Sequence, residues 1–96
     1  MVHIESVYEQ IRHIAAEEGA DRIVLFGSRA RGDAFAKSDI DLAVEGCASF
    51  ERLQDRLEND VWSLLSIDVV NLDTCNSKEL RAEIRRDGKV LFEKVR

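Results

Sequence analysis

The sequence predicts an α/β (α+β) fold, a small β-sheet with helices packed on it, from two observations. First, segments with helical apolar spacing alternate with strand-length apolar runs in the order α-β-α-β-α-β-α-β. Second, the 96 residues contain no proline and no repeat, so nothing in the chain indicates a linker. A chain of this length can form one core. We therefore expect a single domain over residues 1–96.

The helices are predicted from apolar spacing and capping residues. Val7 and Ile11 belong to a helical stripe that closes at Gly19, and Ser49 and Ser77 stand where N-caps of two later helices belong. The predicted helices cover residues 5–18, 29–31, 50–59 and 78–86.

The strands are predicted from short apolar or alternating runs. Ile23–Phe26 is apolar and stops at a glycine, and a turn at Asp87-Gly88 precedes the closing run. The predicted strands cover residues 23–26, 39–44, 66–72 and 89–93.

A glycine turn and an acidic pair between the first two strands are the most informative features. Ten residues separate Gly27-Ser28 from Asp39-Ile40-Asp41. The turn leads into a short helix whose first amides lack intrahelical partners, so with the Ser28 hydroxyl they predict an anion site. At a spacing of two, Asp39 and Asp41 point to one face of their strand. Such paired carboxylates suit Mg²⁺ together with substrate phosphates.

The segments Gly27-Ser28-Arg29-Ala30-Arg31-Gly32 and Ser38-Asp39-Ile40-Asp41-Leu42 resemble the signature of the DNA polymerase β-like nucleotidyltransferase superfamily. The match in length and in Arg-Ala-Arg-Gly is to its minimal nucleotidyltransferases, the MNT-type antitoxins of HEPN/MNT toxin–antitoxin pairs. The resemblance implies a small mixed β-sheet. It also implies that the chain is a single nucleotidyltransferase domain.

The resemblance assigns roles to residues at the matching positions. Gly27 and Ser28 would hold the triphosphate of ATP, and Arg31 also matches a motif position. Asp39 and Asp41 would be catalytic and would bind two Mg²⁺ ions. The family takes a third carboxylate from a later strand.

Asp68 is the candidate for the third catalytic and metal-binding carboxylate. It interrupts an apolar strand, where an unpaired charge is costly. The alternative is that Asp68 lies on the solvated face of an edge strand. Asp73 is a weaker candidate because it follows the strand in a loop-like stretch, and Glu45 is interpreted as a solvated residue.

Three cationic side chains and one tryptophan each allow two interpretations. Arg29, Arg31 and Lys37 lie near the turn or the acidic pair and either contact phosphate or remain solvated. Trp62 continues an apolar stripe with Val61, Leu64 and Leu65. We interpret it as core, with a partner interface as the alternative.

The net charge, the cysteine spacing and the length of the apolar stretches limit which classes of function the sequence can have. A formal net charge of −5 with no basic run argues against general nucleic-acid binding. Cys47 and Cys75 lack CxxC spacing and do not cluster with histidine, so we expect reduced thiols rather than a transition-metal site. No stretch has the length and apolarity of a membrane span or a secretory leader. We expect a cytoplasmic protein.

The acceptor is expected to come from outside the chain, which ends soon after the core. By resemblance, the first hypothesis is an antitoxin that transfers AMP from ATP to a tyrosine of a HEPN-type toxin partner. A second is a small-molecule nucleotidyltransferase similar to aminoglycoside-modifying relatives, with a homo- or hetero-oligomer completing the pocket. A third is an antitoxin that acts by binding alone through the surface near Trp62.

Overall fold

The computed structural model describes residues 3–32, 39–63 and 65–95. Helices and strands alternate as predicted, and the predicted ends differ from the observed ones by at most one residue. In chain order the elements are α1 (Ile4–Glu18), β1 (Arg22–Phe26), α2 (Ser28–Arg31), β2 (Ile40–Glu45), α3 (Phe50–Asn59), β3 (Ile67–Asn71), α4 (Lys78–Asp87) and β4 (Lys89–Glu93).

The four strands form one mixed sheet in the order β3-β2-β1-β4. β1 is antiparallel to both β2 and β4, whereas β2 and β3 are parallel. A parallel pair needs a crossover connection, and α3 supplies it between β2 and β3. The prediction of a small mixed sheet with helices packed on it is confirmed.

Both faces of the sheet are covered by helices. On one face, α1 and α3 bury their apolar stripes against β1 and β2, with Ile11, Leu53 and Leu57 fully buried there. On the other face, Ile84 of α4 packs with a smaller cluster that includes Ala43 of β2. Alternation along β2 therefore sends apolar side chains to two cores, and polar side chains remain only near its two ends, at Asp41 and Glu45.

The helix ends confirm two of the predicted caps and correct a third. At the end of α1, Gly19 adopts a left-handed φ of 76°, and Ala20 donates its amide to Ala15 across 3.0 Å. The Ser77 hydroxyl accepts from the Leu80 amide at 3.1 Å. Ser49 precedes α3 as predicted, but its side chain makes no capping bond because its backbone is not in the extended conformation that a cap needs.

The core interpretation of Trp62 is wrong. Its side chain is 76% exposed, while the preceding Val61 is buried. The helical stripe stops because α3 ends at Asn59, so Val61 fills the inward position and Trp62 turns outward. The Gln10 side chain of α1 accepts the Trp62 amide at 2.7 Å and holds this backbone in place. Leu64, placed in the same stripe, lies outside the described residues.

Candidate active site

Gly27 lies between β1 and α2 and closely approaches Asp41. Its φ of 76° with ψ of −157° is a conformation that side-chain-bearing residues rarely adopt. A Cβ built on Gly27 would overlap a carboxylate oxygen of Asp41 and lie 3.2 Å from its Cγ. Only glycine therefore lets the turn approach Asp41 this closely. The contact sets Ser28, the first residue of α2, beside β2.

The turn is tighter than the sequence suggested. The amides of Ala30 and Arg31 both donate to the Gly27 carbonyl at 3.1 Å. The expectation that all first amides of α2 lack an intrahelical partner is therefore wrong for Ala30, which forms a short-range bond instead. The Ala30 amide is therefore not available to bind an anion at this turn.

The three candidate carboxylates occupy neighbouring strands. Asp41 is directly opposite Asp68 in the parallel register of β2 and β3, and Asp39 lies one residue before β2. Asp41 is half-buried, and the other two are exposed. The pKa of Asp41 is raised above its ordinary value, first by burial and then by the negative charges of Asp68 and Asp39. The three carboxylates thus form one electrostatic cluster.

The burial expected for the Asp68 side chain is wrong. Asp68 does not interrupt a buried run: its side chain is exposed, because β3 is an edge strand of the sheet. The alternative, that Asp68 lies on the solvated face of an edge strand, therefore agrees with the observed exposure of its side chain. Its relevance comes from its register opposite Asp41, which periodicity alone does not give.

The oxygen ligands fit Mg²⁺ in kind, since carboxylates are the hard donors that this ion takes from proteins. Within residues 3–32, 39–63 and 65–95, however, no three His, Cys, Asp or Glu side chains already converge on one point. Like charges repel, so holding one ion between them requires rotation of the side chains. Exposure gives Asp39 and Asp68 room for that rotation.

The two arginines near the turn each have a partner. Arg31 donates to Glu83 of α4 at 3.0 Å, and Arg29 hydrogen-bonds to Tyr8 of α1. Lys37 lies outside the described residues.

Glu83 was missed by sequence reasoning. The sequence shows only that Glu83 precedes Ile84, an apolar residue of the inward face of α4. It does not show which residues of other elements lie next to that part of the helix.

The other acidic candidates lie at the opposite end of the strands. Glu45 is not simply solvated, because it is half-buried and accepts from Arg22 at 2.5 Å. Asp73 accepts the Gly46 amide at 2.9 Å. Two surface depressions of the described residues open at this same end, lined in part by Cys47 and Asn71 and by Asp21 and Glu93. Neither of them includes Asp41 or the Gly27 turn.

The fold and its match to a family model define an enzyme of the nucleotidyltransferase class. The chain belongs to the family described as Polymerase beta, Nucleotidyltransferase, whose model matches residues 9–96. No functionally curated protein matches the chain significantly. In the described parts of the chain, none of the helices has the length and apolar character to cross a membrane.

Solved structures share the fold. One is a toxin–antitoxin with AMP-PNP, at 25% identity and a TM-score of 0.70, covering 91% of this chain and 73% of that one. Another is described as a minimal nucleotidyltransferase, at 28% identity and a TM-score of 0.68, covering 90% of each chain. A third is a tri-AMPylated Shewanella oneidensis HEPN toxin in complex with MNT antitoxin, at 22% identity and a TM-score of 0.68, covering 96% and 74%.

Proposed function

We propose that the protein transfers AMP from ATP to a tyrosine hydroxyl of a HEPN-type toxin and thereby acts as its antitoxin. The observation that carries the proposal is the contact of Gly27 with Asp41, which sets a phosphate-binding turn against a carboxylate cluster. The similarity to a toxin–antitoxin with AMP-PNP supports both the nucleotide and the kind of partner. We infer that one domain, residues 1–96, carries this activity.

In this mechanism Gly27 lets the backbone approach the triphosphate, and Ser28 binds the β- or γ-phosphate through its hydroxyl and amide. Arg31 offsets phosphate charge from the end of α2. Asp39, Asp41 and Asp68 would hold two Mg²⁺ ions, which supply positive charge at the phosphates and acidify the acceptor hydroxyl.

Asp68 is exposed and lies on the edge strand of the sheet, where an acceptor can reach it. It would accept the proton of the tyrosine hydroxyl. The tyrosine oxygen then forms its bond to the α-phosphorus in line with the bond to the β-phosphate oxygen, which breaks and releases pyrophosphate. The tyrosine ends as its AMP ester.

The exposed Trp62 is consistent with docking of a protein acceptor. Its indole is 76% exposed on a backbone that Gln10 holds through the Trp62 amide. Large exposed aromatic side chains are enriched at interface centres. An antitoxin that inhibits its toxin by binding alone would use this same surface near Trp62. The experiment must therefore distinguish AMP transfer to the partner from binding of the partner.

The experiment mixes the purified protein with Mg²⁺, α-labelled ATP and the product of the neighbouring gene, and follows label by gel and intact mass. We expect label on a tyrosine of the partner. Asp39→Asn and Asp41→Asn should abolish it, while Asp73→Asn, an exposed aspartate at the other end of the strands, should retain it. Full transfer by Asp39→Asn would refute the carboxylate mechanism.

Two other outcomes lead to different functions. Label on neither protein, although ATP and Mg²⁺ bind, combined with full neutralisation of the partner by Asp41→Asn, would mean inhibition by binding alone. Label found only on an added small-molecule hydroxyl compound would mean a small-molecule nucleotidyltransferase.

A further inference from the structure

Helix α4 brings an acidic side chain to the face of the sheet that carries Asp41. Ile84 of α4 packs into the cluster that contains Phe26 and Ala43. Phe26 is paired in register with Asp41, and Ala43 lies two residues further along the same face. The residue before Ile84 is Glu83, whose charge acts on the Asp41 carboxylate and contributes to its raised pKa.

Glu83 forms an ion pair that joins α4 to the glycine turn. Its Oε1 accepts from Nη1 of Arg31 at 3.0 Å, with the two side chains 32% and 38% exposed. Arg31 is the last residue of α2, and α2 begins directly after Gly27. One ion pair therefore spans from the packed helix α4 to the one-turn helix beside Asp41.

Simple electrostatics disfavours an acid at this position. Glu83 adds negative charge beside a cluster of three aspartates, and it would also repel the triphosphate for which the turn is shaped. On charge alone, removing Glu83 should strengthen nucleotide binding. A favourable contribution to nucleotide binding comes from preorganisation of the arginine side chain. A free arginine loses much side-chain entropy when it binds phosphate, and a guanidinium that is already held in place by an ion pair loses less.

We propose that Glu83 is a positioning residue for nucleotide binding, which holds the Arg31 guanidinium beside the Gly27–Ser28 turn so that it meets the phosphates of a nucleoside triphosphate. This inference rests on the nucleotide site of the proposed function. It does not depend on which acceptor receives the AMP. The carboxylate of Glu83 acts through Arg31 and need not touch the nucleotide.

The test measures the Kd of the magnesium complex of a non-hydrolysable ATP analogue by calorimetry. The variants are Glu83→Gln, Arg31→Gln and the double variant. The matched control is Glu45→Gln, because the Arg22–Glu45 pair has side chains 38% and 34% exposed and lies at the far end of the strands. Thermal melts of all four variants report any loss of folding.

We expect Glu83→Gln to weaken binding about two- to fivefold, the range of a partly exposed ion pair. Arg31→Gln should weaken it about tenfold, since it removes a charge-assisted bond to phosphate. In the Arg31→Gln background only the repulsion between Glu83 and the phosphates remains, so Glu83→Gln should not weaken binding further and should tighten it slightly. Glu45→Gln should leave the Kd at the wild-type value. In turnover, Glu83→Gln should raise KM for ATP and leave kcat unchanged.

Other results would overturn the inference. Tighter binding by Glu83→Gln would mean that charge repulsion dominates, and equal losses in both backgrounds would mean that Glu83 does not act through Arg31. Failure of the wild-type protein to bind the analogue would refute the nucleotide site itself. Wild-type protein that binds the analogue but never labels a partner would refute only the transfer of AMP to the partner, and the Kd comparison would still decide the role of Glu83.

Discussion

Asp41 of β2 and Asp68 of β3 are partners in the register of two parallel strands. Adjacent strands lie about 4.8 Å apart, so the two carboxylates are neighbours on one face of the sheet. Asp39 adds a third negative charge, and the pKa of Asp41 is raised as a result of burial and of both neighbours. The cluster is thus electrostatically unfavourable in the folded protein unless a cation or a proton joins it.

Asp41→Asn should therefore stabilise the protein in EDTA at pH 7. With a folded-state pKa above the unfolded one, ionisation of Asp41 costs the folded state stability as pH rises through that window. The gain from Asp41→Asn should vanish below about pH 4, where aspartate is protonated in both states. Urea unfolding at both pH values measures it. Mg²⁺ should stabilise the wild type more than the variant, and an equal effect would contradict a shared ion site.

Gly27→Ala should destabilise the protein by more than the roughly 1–3 kcal/mol that a strained backbone conformation costs. The new methyl group would also overlap the Asp41 carboxylate, which must move. The comparison is Gly19→Ala, at the same φ of 76° but at a ψ of 30° that costs a side chain less than the ψ of −157° at Gly27, and with no heavy atom of the described chain within 4 Å of the new Cβ. Unfolding free energies compare the two. Equal losses would show that the contact with Asp41 is unimportant.

The sequence predicted the strands because alternation is local. It could not give the parallel register that pairs Asp41 with Asp68, since register is set by the α3 crossover. The Arg31–Glu83 pair joins residues 52 apart in sequence, and no local pattern links them. Trp62 was misplaced because an apolar run beyond the end of a helix does not show which of its side chains turns inward, here Val61, and which turns outward.

Glu18→Gln should have the opposite pH signature to Asp41→Asn. Glu18 ends α1 and accepts from Arg56 at 3.0 Å and Arg52 at 2.9 Å, both on α3, and the Arg56 hydrogen bond is the main cause of its lowered pKa. A lowered folded-state pKa contributes stability above the ordinary glutamate pKa, and this is lost as pH falls through the folded value.

Glu18→Gln should thus be less stable than wild type at pH 7, and the two should become equal only when the pH has fallen below the lowered folded-state pKa of Glu18. Urea titrations across this range measure the difference. Glu51→Gln, an exposed acid in the first turn of α3, is the control and should show little pH-dependent difference. A constant deficit of Glu18→Gln at every pH would indicate lost packing instead of a lost ion pair.

Trp62→Ala should change the free energy of unfolding by less than about 0.5 kcal/mol, because a surface substitution removes little buried contact. Leu57→Ala, in a fully buried position of α3, should cost about 2–5 kcal/mol. Denaturant unfolding compares them. Trp62 is the single tryptophan, so collisional quenching of its fluorescence by acrylamide reports its exposure directly. A large loss of stability or a shielded indole would place Trp62 in the core.

Ser77→Ala and Ser49→Ala form a matched pair that tests the two helix starts. The Ser77 hydroxyl accepts the Leu80 amide at 3.1 Å, whereas Ser49 makes no side-chain capping bond to α3. Removing a capping hydroxyl costs about 1 kcal/mol, so Ser77→Ala should lose that amount and Ser49→Ala close to none. Both helices have 10 residues, and both serines are exposed, so burial does not confound the comparison. Equal losses in denaturant unfolding would mean that Ser49 caps α3 in solution, and the sequence prediction for Ser49 would then hold.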